Sequence, residues 1–178
     1  MRTSLWLICL VSLPAVTSRA EVTAQSAAGF ISQHELVVMG SPARVYQALT
    51  AEIGNWWDAT HSYSGVAANF SMQASAGGCF CERLAEGGSV EHMRVVFAQP
   101  GKLLRLAGGL GPLQGMGVSG SMDFELEAVD ETQTRLNYRY TVSGYAPGGL
   151  DLFANPVDRV QLDQLERLAA YLALPRGN

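Results

Sequence analysis

Positive charge is scarce and scattered in this chain. It has 12 lysines and arginines against 16 acidic residues, a formal net charge of −4 and a pI near 5.3. The basic residues never cluster, so the electrostatic footprint that nucleic acid or an anionic membrane requires is missing. There is no Gly-x-x-x-x-Gly-Lys-Ser/Thr loop and no kinase-like set of motifs, which removes the usual devices for gripping nucleotide phosphates. The apolar run over residues 5–13 is too short to span a bilayer, so no stable membrane insertion is expected. Internal repeats and low-complexity tracts are absent, and no linker invites a division of the chain. Cysteine is confined to Cys9, Cys79 and Cys81. A closed zinc site takes four ligands. Cys79 and Cys81 with a cross-strand His92 leave that set short, so no metal is expected, and nothing points to a cofactor.

What remains is apolar material for a single core: 178 residues, 48 % hydrophobic and 16 % charged, enough for one ordinary domain and too little for two. Residues 1–20 read apart from the rest. Arg2 opens them, the apolar run follows, and Ser18 and Ala20 stand at the −3 and −1 positions of a cleavage site. That is the layout of a secretory signal peptide. Export is therefore expected, to the periplasm or another exported space, with residues 21–29 as a flexible lead-in and one domain over residues 30–174. Loss of the leader leaves Cys79 and Cys81. In an extended strand, residues i and i+2 stand about 6.5–7 Å apart, whereas a disulfide wants Cβ atoms at about 3.8 Å. Two reduced, partly buried thiols are expected.

Residues 30–39 are rich in large apolar and β-branched side chains and end at Gly40, the pattern of a strand. Ser41-Pro42 then supplies an N-cap and a first helical position, and Val45, Ala48, Leu49 and Ile53 recur at helical spacing. From residue 69 to 143 the chain alternates with period two between turn signals, over 69–73, 79–85, 89–98, 102–107, 118–128 and 134–143. Gly87-Gly88 reads as a two-residue hairpin turn. Asn155-Pro156 repeats the cap-plus-proline signature and opens a last helix to about residue 172. The expected architecture is α+β: a curved seven-stranded antiparallel sheet wrapped around a long C-terminal helix, with a helical segment between the first and second strands.

The two-residue turn pairs Glu82 with Met93 and sets Phe80, Glu82, Met93 and Val95 on an inward face, with His92 on the opposite one. Glu82 becomes a carboxylate in an apolar wall, where burial tends to raise a pKa. Gln161 and Gln164 fall on the apolar face of the last helix, where amides need partners, either a ligand or the sheet backbone. Trp56, Trp57, His61 and Tyr63 lie in the connection after the first helix and suit the closure of a cavity. Leu113 and Met116 are the apolar contacts of a glycine-dense segment, residues 108–117, that could lie over it as a flap. Phe124, Tyr138 and Tyr140 alternate inward on the late strands, and Leu168 faces them from the helix.

The order of elements, the Ser41-Pro42-Ala43-Arg44-Val45-Tyr46-Gln47-Ala48-Leu49 opening, the Gly77-Gly78-Cys79-Phe80-Cys81-Glu82 strand start and the Gln99-Pro100-Gly101-Lys102-Leu103 turn resemble the START/polyketide-cyclase superfamily. Its relatives include the birch-pollen allergens and, nearest to this chain, the homologues of the activator of the heat-shock-protein-90 ATPase. The likeness spans residues 30–172. It implies a helix-grip fold, whose members bind sterols, lipids, hormones or polyketides, act as cyclases or dehydrases, or act on chaperones. The leader argues against a cytosolic co-chaperone role.

The expectation is therefore a non-catalytic protein that binds or carries a hydrophobic small molecule in an internal cavity. Trp56, Trp57, Phe80, Glu82, Met93, Leu113 and Met116 would line it, together with Phe124, Tyr138, Tyr140, Gln161, Gln164 and Leu168. The alternatives are a cyclase- or dehydratase-like enzyme using Glu82, with His61 or a tyrosine assisting, and a protein-interaction module whose partner the residues do not name.

Overall fold

Alternation decides the strands. In the computed structural model, which describes residues 21–175, Phe30, Ser32, His34, Leu36 and Val38 of β2 (Gly29–Met39) are all buried on one side. The expected leader, with Cys9, lies outside the described residues. After β2, Ser41 caps α1 (Pro42–Thr50) by accepting the Arg44 amide N–H at 3.4 Å, and Val45, Ala48 and Leu49 turn into the core. The chain then lays down β3 (Phe70–Met72), β4 (Cys79–Arg83), β5 (Ser89–Gln99), β6 (Leu103–Ala107), β7 (Ser119–Ala128) and β8 (Gln133–Ser143) before α2 (Asp151–Ala173). β8 closes back on β2, so the long helix lies over one face of a curved antiparallel sheet. This is the helix-grip arrangement expected from the sequence.

The sheet has eight strands, not seven. Residues 21–26, expected as part of a flexible lead-in, form β1 (Glu21–Ser26), which pairs antiparallel with β2 and packs against α2. The strand order is β1-β2-β8-β7-β6-β5-β4-β3. α2 also starts four residues before the expected Asn155 cap. The Leu150 amide N–H donates to the Ala27 carbonyl at 3.0 Å, which ties the helix start to the β1–β2 turn. Pro156 then sits inside the helix, near its start, where a missing N–H costs a single intrahelical bond.

The β4–β5 hairpin departs from the expected register. Its loop is Ala85–Gly87, with Glu86 at φ 56° and Gly87 at φ 80°, and the Leu84 N–H donates to the Gly88 carbonyl at 2.8 Å. Glycine adopts that conformation freely, whereas a glutamate there carries no sequence signal. The result is Glu82 opposite Val90, Cys81 opposite Glu91 and Phe80 opposite Met93, with the register shifting between Phe80 and Cys81. His92 is the extra residue of this β-bulge, so it and Met93 are both buried. An odd-numbered slip or a bulge moves side chains to the other face. Here it carries His92 inward, to the same side as Glu82.

The bulge also corrects the expectation of free thiols. Cys79 and Cys81 are joined by a disulfide across a Cα separation of 5.3 Å, well inside the spacing of a regular strand. Denatured, unreduced full-length chain should therefore present one reactive thiol, Cys9, out of three, and all three after reduction. Three reactive thiols before reduction would show that β4 runs without its bridge.

Candidate functional site

The connection between α1 and β3 makes one wall of the site, and it is tied down along its length. The Trp56 indole N–H donates to the Ala48 carbonyl at 2.9 Å, and the Trp57 indole N–H to the His61 carbonyl at 3.0 Å. Asp58 caps the short helical turn Ala59–His61 by accepting from the Thr60 amide and hydroxyl, both at 2.9 Å. Those bonds, the backbone one first, hold the Asp58 carboxyl below its usual pKa. α2 reaches over to the same segment. The Gln164 Oε1 accepts the Asp58 amide at 2.8 Å, and the Arg167 Nε donates to the Trp56 carbonyl at 2.9 Å.

The sheet holds the far end of this segment through Glu82, whose side chain is fully buried. Its Oε1 accepts the Ser64 amide at 2.6 Å, and its Oε2 accepts the Tyr63 amide at 3.1 Å and lies 2.9 Å from the His92 Nε2. Burial pushes the Glu82 carboxyl up, as expected, but the bonds from Ser64, Tyr63 and His92 outweigh it and its pKa lies below the usual value. The expected rise does not occur, because two backbone amides and the His92 imidazole donate to the carboxylate. Glu82 is thus an ionised clasp. An ionised carboxylate only accepts, so the proton between Glu82 and His92 resides on Nε2. The His92 ring packs among Tyr63, Phe70 and Phe80, with centroids 5.8, 5.1 and 5.2 Å away. Burial lowers its pKa more than Glu82 raises it.

Between this segment, the first half of α2 and the turn at Leu110–Leu113 lies a pocket of about 400 Å³. Trp57, Thr60, His61, Ser62 and Tyr63 line it from the connection, and Phe153, Pro156, Val157, Val160 and Gln161 from α2. Leu110, Gly111, Pro112 and Leu113 close another side, and His92 reaches it from β5. The glycine-dense segment is folded as a short helical turn, Gly111–Met116, held by the Tyr140 hydroxyl, which accepts the Leu110 amide at 3.0 Å, and by the Gln114 side chain on the Glu91 carbonyl.

Of the residues expected around a cavity, Trp57, His61, Tyr63, Leu113 and Gln161 line this pocket. Glu82 stands directly behind it, on His92. Gln164 is spent on the Asp58 amide, and its Nε2 is buried with no hydrogen-bond partner among the described residues. Trp56, Phe80, Met93, Phe124, Tyr138, Tyr140 and Leu168 are buried in the continuous core, and Met116 packs against that core. The pocket therefore lies at one end of the grip, between α2, the connection after α1 and the Leu110–Leu113 turn.

Sequence reasoning missed His92, which the expected register placed on the wrong face. It also missed a polar cluster under α2. The Ser32 hydroxyl donates to the Asp158 Oδ1 at 2.6 Å, and the His34 Nε2 lies 3.0 Å from the same oxygen. His34 stacks on Tyr138 at 5.8 Å, and the Tyr138 hydroxyl donates to the Gln161 Oε1 at 2.9 Å. The available signal was Ser32 and His34 alternating with Phe30 and Leu36 on an inward face. Among the described residues no group of three or more His, Cys, Asp or Glu side chains is placed to hold a metal.

No protein-family model and no curated protein matches the chain. Solved structures do. A conserved protein of unknown function from Enterococcus faecalis superposes with a TM-score of 0.59 at 15 % identity, over 90 % of this chain and 80 % of its own. CalU16 from Micromonospora echinospora matches with a TM-score of 0.58 at 13 % identity, over 90 % of this chain and 85 % of its own. Aha1 from Colwellia psychrerythraea, solved in solution as a dimer, matches with a TM-score of 0.53 at 20 % identity, over 83 % and 98 %. At these identities the likeness establishes the fold, which is START/polyketide-cyclase-like, and leaves function to the site.

Two outcomes test the clasp. Glu82→Gln puts an amide where donors converge and exchanges charge-assisted bonds for neutral ones, which should cost about 2–4 kcal/mol of stability. Denaturant melts of the two proteins measure it. A variant as stable as the parent would remove Glu82 from its structural role. The buried histidines set a pH dependence. His34 and His92 both have folded pKa values below the ordinary 6.5, burial being the larger cause in each. The unfolded chain then binds more protons, so their contribution is complete above about pH 6.5 and is lost as pH falls below it. Unfolding free energy should drop between about pH 7 and about pH 5. A flat profile across that window would contradict the burial of both imidazoles.

Proposed function

We propose that this chain binds an apolar small molecule in the pocket between the Trp57–Tyr63 segment, the Leu110–Leu113 turn and the first half of α2. The observation that carries the reading is the composition of the wall. Tryptophan, phenylalanine, proline, valine and leucine side chains make most of it, and it contains no Asp, Glu, Lys or Arg. Sites for small molecules are concave, mostly apolar and provided with a few convergent polar groups. Here those groups are His61, His92, Gln161, the Tyr63 phenol and the Ser62 and Thr60 hydroxyls. Gln161 already accepts the Tyr138 hydroxyl through Oε1, so its remaining offer to a ligand is the NH2 donor. The protein works after export, in the periplasm or another exported space, directed there by residues 1–20. Binding or carriage, without catalysis, is the activity that this wall supports best.

Native mass spectrometry of protein purified from its own host tests both parts. The expected spectrum shows a chain beginning near Glu21 that carries a small molecule. Val160→Trp fills the pocket from a half-buried helix position and should abolish the adduct while leaving the melting temperature within a few degrees. A full-length chain would end the export reading. An adduct that survives Val160→Trp would place the ligand elsewhere.

A further inference from the structure

The polar atoms of the pocket wall define what kind of apolar molecule it accepts. We infer that the ligand is neutral and is recognised by a hydroxyl that it donates to Nδ1 of His92, an inference that rests on the pocket reading above. Neutrality follows from a wall without Asp, Glu, Lys or Arg: a charged ligand would be desolvated there with no counter-charge to compensate it. A fatty-acid carboxylate is disfavoured on that ground, whereas an alcohol or phenol is accommodated.

The direction of the bond follows from the clasp. Glu82 Oε2 already accepts the Tyr63 amide, and Oε1 accepts the Ser64 amide, so the carboxylate is committed as an acceptor on both oxygens. It fixes the proton of His92 on Nε2, 2.9 Å away. A neutral imidazole with its proton on Nε2 has a lone pair and no proton on Nδ1. The ring cannot exchange the two nitrogens without breaking the Glu82 bond and turning between Tyr63, Phe70 and Phe80. With Nε2 held by Glu82, Nδ1 is the nitrogen that His92 has left for the pocket it lines, and a site built to accept a hydroxyl discriminates against the analogue that lacks one. Glu82 acts through His92 as a positioning residue. His61, which lines the same pocket, is exposed and lacks such an anchor among the bonds of its wall.

The test uses a matched pair of probes, 2-naphthol and 2-methylnaphthalene, which share a ring system and differ by a hydroxyl in place of a methyl. Titrated into the full chain, the pair should show a naphthol preference that falls by about five- to tenfold in His92→Phe, the effect of one hydrogen bond. Nitrogen-15 spectra of histidine-labelled parent protein provide a readout that needs no variant. They should report His92 with its proton on Nε2, and its Nδ1 resonance should move with 2-naphthol and stay in place with 2-methylnaphthalene. If both probes bind, His92→Phe leaves their ratio unaltered and Nδ1 does not respond, the hydroxyl inference is overturned and the apolar pocket stands. A proton found on Nδ1 overturns it as well. If neither probe binds, the pocket reading falls and takes this inference with it.

Discussion

A carboxylate removed from water must find donors, and the arrangement of this site follows from how Glu82 finds them. Its three partners come from different parts of the chain: the amides of Tyr63 and Ser64 from the connection after α1, and the imidazole of His92 from β5. Leaving such a group unpaired costs several kcal/mol. The Tyr63–Ser64 turn therefore cannot drift from the sheet, and the β4–β5 register cannot slip, without exposing that cost. One charge holds a loop, a hairpin and a ring in fixed relation, and the pocket wall is what they form together.

The same hairpin shows how a small backbone choice reaches the chemistry of the site. A two-residue turn would have left His92 on the outer face beside Arg94, which pairs there with Glu91. Instead Glu86 and Gly87 take left-handed conformations, the loop becomes three residues, and the bulge opposite Phe80 and Cys81 turns His92 inward. The Cys79–Cys81 bridge spans that irregularity. A bulge re-aims a side chain at the expense of one ladder position, and here the side chain it re-aims joins the clasp to the pocket.

What could be read from the residues was what depends on period and local capping. Ser41-Pro42 marked the start of α1, and the alternation over residues 69–143 marked the meander. The errors share a cause. Val22 and Ala24 carry too little apolar weight to announce β1, whose stability comes from pairing with β2 and from α2. Glu86 gives no sign of a left-handed turn. The contact of Ser32 and His34 with Asp158 joins positions 126 residues apart in the Ser32 case, and no local pattern encodes it. A buried glutamate was legible. Its low pKa was not, because that depends on amides brought in from another part of the chain.

The polar cluster under α2 explains why a pocket persists at all. Leu165 and Leu168 fasten the helix to the core, but apolar contacts are non-directional. A helix held by them alone could slide to bury Phe153, Val157 and Val160 against the sheet and close the space. The bonds from Ser32 and His34 to Asp158, from Tyr138 to Gln161, from the Asp58 amide to Gln164 and from Arg167 to the Trp56 carbonyl are directional. Each would be left unsatisfied in a low-dielectric setting by a shift of even one residue. They fix α2 at a position where its first turns overhang the edge of the core, so the apolar side chains there meet the Trp57–Tyr63 wall across open volume. Those bonds fix the register of α2, and with it the place of Phe153, Val157 and Val160 in the pocket wall.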